Sequence, residues 1–447
     1  MRGAGVRLRG GGVRLRSAGV RVGGAGVRHA HRARAAAIVS ALIVALCGPL
    51  TTTHAAQART HPQEATVTER EGAGPARHTV VTWGASADRQ GEGPADRSYR
   101  LVVRTSVGGS DMRIRLSNAF GDHPVTFASA YAGLREQGAR LVRGSNRRLS
   151  FGGAGSVTVP AGDTVLSDPL PGNLPAGSDL VVSLYVTGAQ GPTTGHGMAM
   201  QTSYAAAGDH AGEEGAANWT DPMSSWYWLD AVSVETAPDI GAVVALGDSI
   251  TDGWQSSTDL NRRWPDYLAR RLRNARDLTV KGVANEGISG NKVLADGAGQ
   301  SALGRLERDV LSQPGVRTVF LFEGINDIKA HTGVTVDDMI AGYREIIDRA
   351  HAAGLCVVGA TVMPFKGWSE YDAPAEAVRQ GVNDFIRNGG ELDGVTDFDK
   401  IVRSPYDHEL LLPFFDGGDH LHPNDKGMQA MADAVDLPSL ECSRTAR

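Results

Sequence analysis

Cysteine is scarce. The 447 residues contain three, and one of them, Cys47, lies in an N-terminal leader. Cys356 and Cys442 remain. In an exported chain such an isolated pair makes one candidate disulfide, tying the C-terminal tail to a core strand. Two independent thiols is the alternative. Long apolar runs are missing as well. Outside the leader, no segment reaches the roughly 20 residues that a membrane-spanning helix needs. Acidic residues are absent from positions 1–34, which hold nine arginines.

Those 34 residues repeat a Gly-Val-Arg theme, at 5–7, 12–14, 19–21 and 26–28. An apolar segment follows from Ala35 to Leu50, and then Ala56-Gln57-Ala58, a small-x-small cleavage pattern. Basic, apolar and cleavage regions in that order read as a secretory signal peptide over residues 1–58, with an unusually long basic part. The apolar core is short for a membrane anchor. No Arg-Arg pair occurs in the leader, which favours the general secretory route over the twin-arginine one. Leu46 before Cys47 argues against a lipoprotein. The expected location is therefore extracellular. The formal charge is −5, and losing nine arginines leaves −14. An acidic mature chain is a poor partner for nucleic acid or anionic membranes, and no stable membrane insertion is expected once the leader is gone.

The 447 residues suggest two or three domains. Residues 59–77 are polar and aperiodic and read as a linker. Residues 78–237 look all-β. Apolar and polar residues alternate in Tyr99–Arg104, Met112–Leu116, Ser156–Val159 and Val182–Val186, with Gly, Pro and Asp between the runs. Short strands at this spacing predict a β-sandwich or jelly roll. The joint falls at Pro238–Gly241, and residues 238–447 form the second domain. Strands are expected there at 242–247, 278–285, 317–323, 355–362 and 394–399. Helices are expected at about 263–276, 301–312, 336–353, 374–388 and 425–435. Thr335 and Asp338 form a capping-box pattern for the third helix, and Gly354 can end it. Such alternation implies an α/β class with a parallel, doubly wound sheet.

The most informative stretch follows the apolar run Ala242–Leu246. It reads Gly247-Asp248-Ser249-Ile250-Thr251-Asp252-Gly253. In open α/β sheets ligands bind at the carboxyl ends of the strands. Ser249 follows strand one, Gly290 strand two and Asn326 strand three, so the topology brings all three to one edge. A serine hydroxyl needs an adjacent base to act as a nucleophile. His422 is the candidate, because Asp419 three residues earlier can hold one imidazole nitrogen while the other faces Ser249. His420 fails this logic, since position 417 is glycine. A metal site built from Asp416, Asp419, His420 and His422 is disfavoured, as the cluster lacks a helical two-His spacing or cysteine partners. Asp248 and Asp327 read as structural.

Four ordered segments carry a resemblance: the Ser249 stretch, Asn285-Glu286-Gly287-Ile288-Ser289-Gly290, Gly324-Ile325-Asn326-Asp327 and Asp419-His420-Leu421-His422-Pro423. Over residues 240–436 the chain resembles the GDSL, or SGNH, hydrolases. Ile250 replaces the consensus leucine, a conservative swap. The resemblance implies a flavodoxin-like three-layer α/β/α domain and an oxyanion hole. It assigns that hole to the Ser249 N–H, the Gly290 N–H and the Asn326 side-chain amide. Thr251 excludes the Gly-x-Ser-x-Gly elbow of α/β-hydrolases.

The expected activity is ester hydrolysis through an acyl-enzyme on Ser249, with no metal or organic cofactor. The resemblance implies ester substrates of small acyl, polysaccharide or lipid type. A lipase or phospholipase, an inert glycan-binding protein and an acyltransferase are the competing readings. Trp254, Trp264, Met363, Phe365 and Trp368 are candidates for a substrate pocket. Trp226, Tyr227 and Trp228 form either a sugar-stacking surface or a core strand.

Overall fold

The computed structural model describes residues 77–188 and 191–442. The leader with its Gly-Val-Arg repeat, Cys47 and its cleavage pattern lies outside the described residues, as does all but the last residue of the linker.

The first region is built from antiparallel strands. One sheet holds β1 (His78–Gly84), β3 (Leu229–Thr236), Gly109–Ser117 and Leu170–Leu174 in that order. A larger sheet centres on Arg97–Arg104, Asp179–Thr187 and Val125–Gln137. A third, small sheet joins β2 (Pro192–His196) to Asp88–Glu92 and Trp226–Tyr227. The strands obey the two-residue period: Met112, Ile114 and Leu116 are buried while Arg113 and Arg115 between them are only partly covered. Leu101, Ile114, Phe127, Leu184 and Val232 from the two larger sheets share one core. A jelly-roll order is not evident in these three sheets. Of the two readings of Trp226 and Trp228, the core strand is the one found, because each is 1% exposed. Trp226 donates from Nε1 to the Val102 carbonyl at 2.8 Å and meets Trp83 edge-on, so this strand is core.

The second region is a five-stranded parallel sheet of β4 (Gly241–Gly247), β5 (Val280–Gly287), β6 (Val316–Phe322), β7 (Cys356–Ala360) and β8 (Gly394–Thr396). The order across the sheet is β5-β4-β6-β7-β8. Numbered from β4, this is the flavodoxin-like order 2-1-3-4-5, and the sequence reverses direction between β4 and β6. All seven residues of β4 are buried, as expected for a parallel strand covered on both faces. The helices are α1 (Ser249–Asp252), α2 (Trp264–Asn274), α3 (Ala302–Leu306), α4 (Ile325–Ile328), α5 (Val336–Ala352), α6 (Ala373–Asn388), α7 (Phe398–Val402) and α8 (Asp425–Ala434). Among the longer ones α2 packs on α8, and α5 on α6. The capping box on α5 is present: Thr335 Oγ1 accepts from the Asp338 N–H, and Asp338 accepts from the Thr335 N–H. No helix among the described residues is long and apolar enough to cross a membrane.

Cys356 and Cys442 form a disulfide, with Cα atoms 5.6 Å apart. The tail it secures is also hydrogen-bonded to the sheet. Thr318 Oγ1 donates to the Leu440 carbonyl at 2.7 Å, and the Glu441 carboxylate accepts from the Thr279 and Val280 N–H groups.

The two regions fall in one compact unit and meet along β1 and β5. Ala85 bridges Asn285 in parallel, Ser106 Oγ accepts from the Val283 N–H, and Ser86 Oγ donates to Glu286 Oε2 at 2.8 Å. β1 thereby covers the sheet edge that β5 would leave open. The approach is close enough to require glycine at position 84. A Cβ there would lie 2.5 Å from Glu286 Oε1 and 2.9 Å from the Ala284 Cβ. Gly84→Ala should therefore cost about 1–3 kcal/mol in urea denaturation. Gly91→Ala, where a Cβ meets nothing within 4 Å, should change stability by less than about 0.5 kcal/mol.

Candidate active site

The site lies at the carboxyl ends of β4, β5 and β6, where the strand order reverses. β4 ends at Gly247, and Asp248 caps the short helix α1 by accepting from the Ile250 N–H at 2.9 Å. This turn presents Ser249 as the first residue of α1, 7% exposed. Its Oγ is 2.8 Å from His422 Nε2. His422 Nδ1 is 2.8 Å from Asp419 Oδ2, and the other Asp419 oxygen accepts from the backbone N–H groups of Leu421 and His422. Gln255 donates to Asp419 as well. Those backbone bonds fix the carboxylate before it meets the ring. His420 turns away, paired with Asp416 at 2.7 Å.

The charges follow from these contacts. Burial raises the pKa of Asp419, but bonds from the His422 backbone and ring outweigh it and hold the carboxyl below its usual range. Burial also lowers the pKa of His422, and this outweighs the opposing pull of Asp419. The resting pair is then an ionised carboxylate and a neutral imidazole. Nδ1–H donates to Asp419, and the Nε2 lone pair is free to take the Ser249 proton.

The remaining expected residues converge on the same strand ends. Gly290, at φ +82°, lies in the left-handed region that favours glycine. Asn326 is the second residue of α4 after β6, is 6% exposed and donates from Nδ2 to the Asn291 carbonyl at 2.9 Å. An amide carries two N–H bonds, so one is spent on orientation and the second remains. Asp327 accepts from the backbone N–H groups of Val293 and Leu294, which pins the loop carrying Gly290.

Arg305 reaches in from α3, fully buried. It donates to the carbonyls of Gly247 (3.0 Å) and Glu286 (2.6 Å), to Asn291 Oδ1 (2.9 Å) and to Ser86 Oγ (2.7 Å). Glu323 Oε2 lies 3.5 Å from it, and neither Glu323 oxygen has a hydrogen-bond partner among the described residues. Burial, with Asp248 close by, raises the Glu323 carboxyl well above its ordinary range. Burial pushes Asp248 up to about 7 and Glu286 up to about 8. No motif pointed to Arg305 or Glu323, because their partners are distant in sequence.

The pocket expectation splits. Trp254 and Trp368 flank the His422 ring, with centroids 6.5 and 5.8 Å away. Trp264, Met363 and Phe365 are each at most 1% exposed and belong to the core, a correction to the sequence reading. No cluster of three metal-ligating side chains occurs among the described residues.

Residues 245–430 match the model of the GDSL-like Lipase/Acylhydrolase family. The GDSL-like segment contains Ser249, Gly290, Asn326, Asp419 and His422. No curated protein matches the chain. Among solved structures, the chain is similar to a putative lipolytic protein of the G-D-S-L family from Desulfitobacterium hafniense, at 20% identity and TM-score 0.35, over 44% of this chain and 97% of that one. It is also similar to a carbohydrate acetylesterase family member from Sinorhizobium meliloti (17%, 0.37, over 44% and 95%) and to the aryl esterase of M. smegmatis (16%, 0.38, over 45% and 99%).

If His422 serves as a general base it must be unprotonated to act, and activity would then be lost as pH falls through its pKa. With that pKa lowered, the acid limb of kcat/KM should have its midpoint below the ordinary histidine value of about 6.5. Asp419→Asn should lower kcat by about 10³–10⁴-fold. A pH-rate profile of both proteins checks the pair of expectations.

Proposed function

We propose that the chain is a serine ester hydrolase that works through an acyl-enzyme on Ser249. The observation that carries this reading is the relay from Ser249 through His422 to Asp419, with both links at 2.8 Å. The GDSL-like segment supports it, since it spans every member of the relay. Ser249 Oγ attacks the ester carbonyl carbon as its proton passes to His422 Nε2. The carbonyl oxygen becomes an oxyanion, met by the Ser249 and Gly290 N–H groups and the free N–H of Asn326. The bond to the alcohol breaks, and the leaving alkoxide takes the proton from His422. Water then repeats the sequence on the acyl-enzyme and frees Ser249. Asp419 stays ionised throughout and stabilises the imidazolium.

Short-acyl or carbohydrate-linked esters are the substrate class we favour. The apolar residues behind the nucleophile, Ile250, Phe322, Ile325, Val362 and Met363, are packed shut and offer no channel for a long chain there. Trp254 is 46% exposed beside His422 and provides an open aromatic wall for the alcohol part. Export is proposed with it, from the leader pattern and from a disulfide of the kind that oxidising compartments maintain.

The test is hydrolysis of p-nitrophenyl acetate, butyrate and octanoate beside Ser249→Ala. Acetate or butyrate should be turned over fastest, and Ser249→Ala should lose at least about 10³-fold in kcat. Rates that climb toward octanoate would favour a lipase. Equal rates in the two proteins would remove Ser249 as the nucleophile.

A further inference from the structure

His196 belongs to β2 in the all-β region, yet its ring enters the hydrolase site from behind. It is 5% exposed. Nε2 is 2.9 Å from Asp252 Oδ1 and 3.0 Å from the Met198 carbonyl, and Nδ1 is 2.8 Å from the Ser86 carbonyl. Every one of these partners is an acceptor. A neutral imidazole has one N–H and one lone pair, so either neutral tautomer would aim a lone pair at an oxygen. Only the doubly protonated ring satisfies all three contacts.

The carboxylate it meets is the last residue of α1, the helix that Ser249 begins. Asp252 Oδ2 accepts from the Ser289 N–H at 3.0 Å. Ser289 immediately precedes Gly290, whose N–H is an oxyanion donor in the proposed mechanism. One carboxylate therefore joins the nucleophile's helix to the oxyanion loop, and one imidazole from the other region fixes that carboxylate.

We propose that His196 is a positioning residue for the oxyanion hole: as a buried cation it locks Asp252, which aims the Ser289–Gly290 backbone at the developing oxyanion. This deepens the esterase reading and rests on it. The all-β region then completes the catalytic site as well as covering a sheet edge.

The surroundings fit a cation. Burial by itself pushes the His196 pKa down, but Asp252 and the two carbonyls outweigh it, and the net direction is up. The charged groups about the ring are Asp252 on α1 and Arg263 at the start of α2. Arg263 is engaged by Asp266 at 2.8 Å and lies over the Trp226 ring, which packs against His196. A buried charge whose partner is removed is left uncompensated, so substitutions here act on geometry well beyond the lost contact.

The test pairs kinetics with spectroscopy. In the full chain, His196→Gln and Asp252→Asn should each lower kcat on p-nitrophenyl acetate by about tenfold or more. The ceiling is the roughly 10²–10³-fold cost of losing an oxyanion donor. KM should stay within about threefold, because the loss falls on the transition state. The double variant should be no worse than the poorer single one, since both cut the same link. In the unsubstituted protein, ¹⁵N-histidine NMR should show N–H on both nitrogens of His196 at pH 7.5. A folded His196→Gln variant with unchanged kcat, or a neutral His196 tautomer at that pH, would overturn the proposal. The NMR result stands whether or not a variant folds. Failure of the esterase reading itself is read separately, from equal rates in Ser249→Ala and the unsubstituted protein.

Discussion

One guanidinium holds the site together. Arg305 is fully buried and donates to carbonyls near the ends of β4 and β5, to the Asn291 side chain next to Gly290, and to Ser86 of the all-β region. Strand ends are where backbone carbonyls run out of ladder partners, and a buried carbonyl without a donor is costly. Arginine meets several at once because its N–H groups fan out in a rigid plane. The position of Gly247, and hence of Ser249 two residues on, depends on this contact.

Such a cation needs an anion nearby, and Asp309 Oδ2 lies 3.4 Å and Glu323 Oε2 3.5 Å from it. Glu286 and Asp248 are pushed up to about 8 and about 7 by burial, and burial raises the Glu323 carboxyl well above its ordinary range. Asp419 stands apart from this group. It is partly exposed, receives two backbone N–H bonds and stays ionised. Within a single site, then, the environment separates the carboxylate used in the relay from the acids that support the scaffold.

Much of this was legible in the sequence, for physical reasons. β4 and β7 are continuous apolar runs and β6 ends in one, and all five parallel strands lie within a few residues of their expected positions. Ser249, Asp419 and His422 stand in short motifs whose spacing is set by local geometry. Asp419 reaches the His422 ring because it stands three residues earlier in the same loop. What could not be read depended on contacts between distant segments. His196 sits in a strand of Thr and Gly residues that carries no motif, and its partner is 56 residues away in another region. Trp226 and Trp264 look alike in sequence to the exposed Trp254. The difference is packing: Trp264 lies among Phe320 and Phe398, and Trp226 against Trp83. The jelly-roll expectation rested on strand spacing alone, which does not encode strand order.

The central claim is that Ser249, activated by His422, is the group that bonds to the acyl carbon. The most direct measurement is to treat the full chain with a p-nitrophenyl alkylphosphonate and locate the adduct by peptide mass spectrometry. The account predicts a single adduct, on the peptide containing Ser249, forming at least about 10²-fold more slowly in His422→Ala. An adduct on a different residue, or equal labelling of Ser249→Ala, would contradict it.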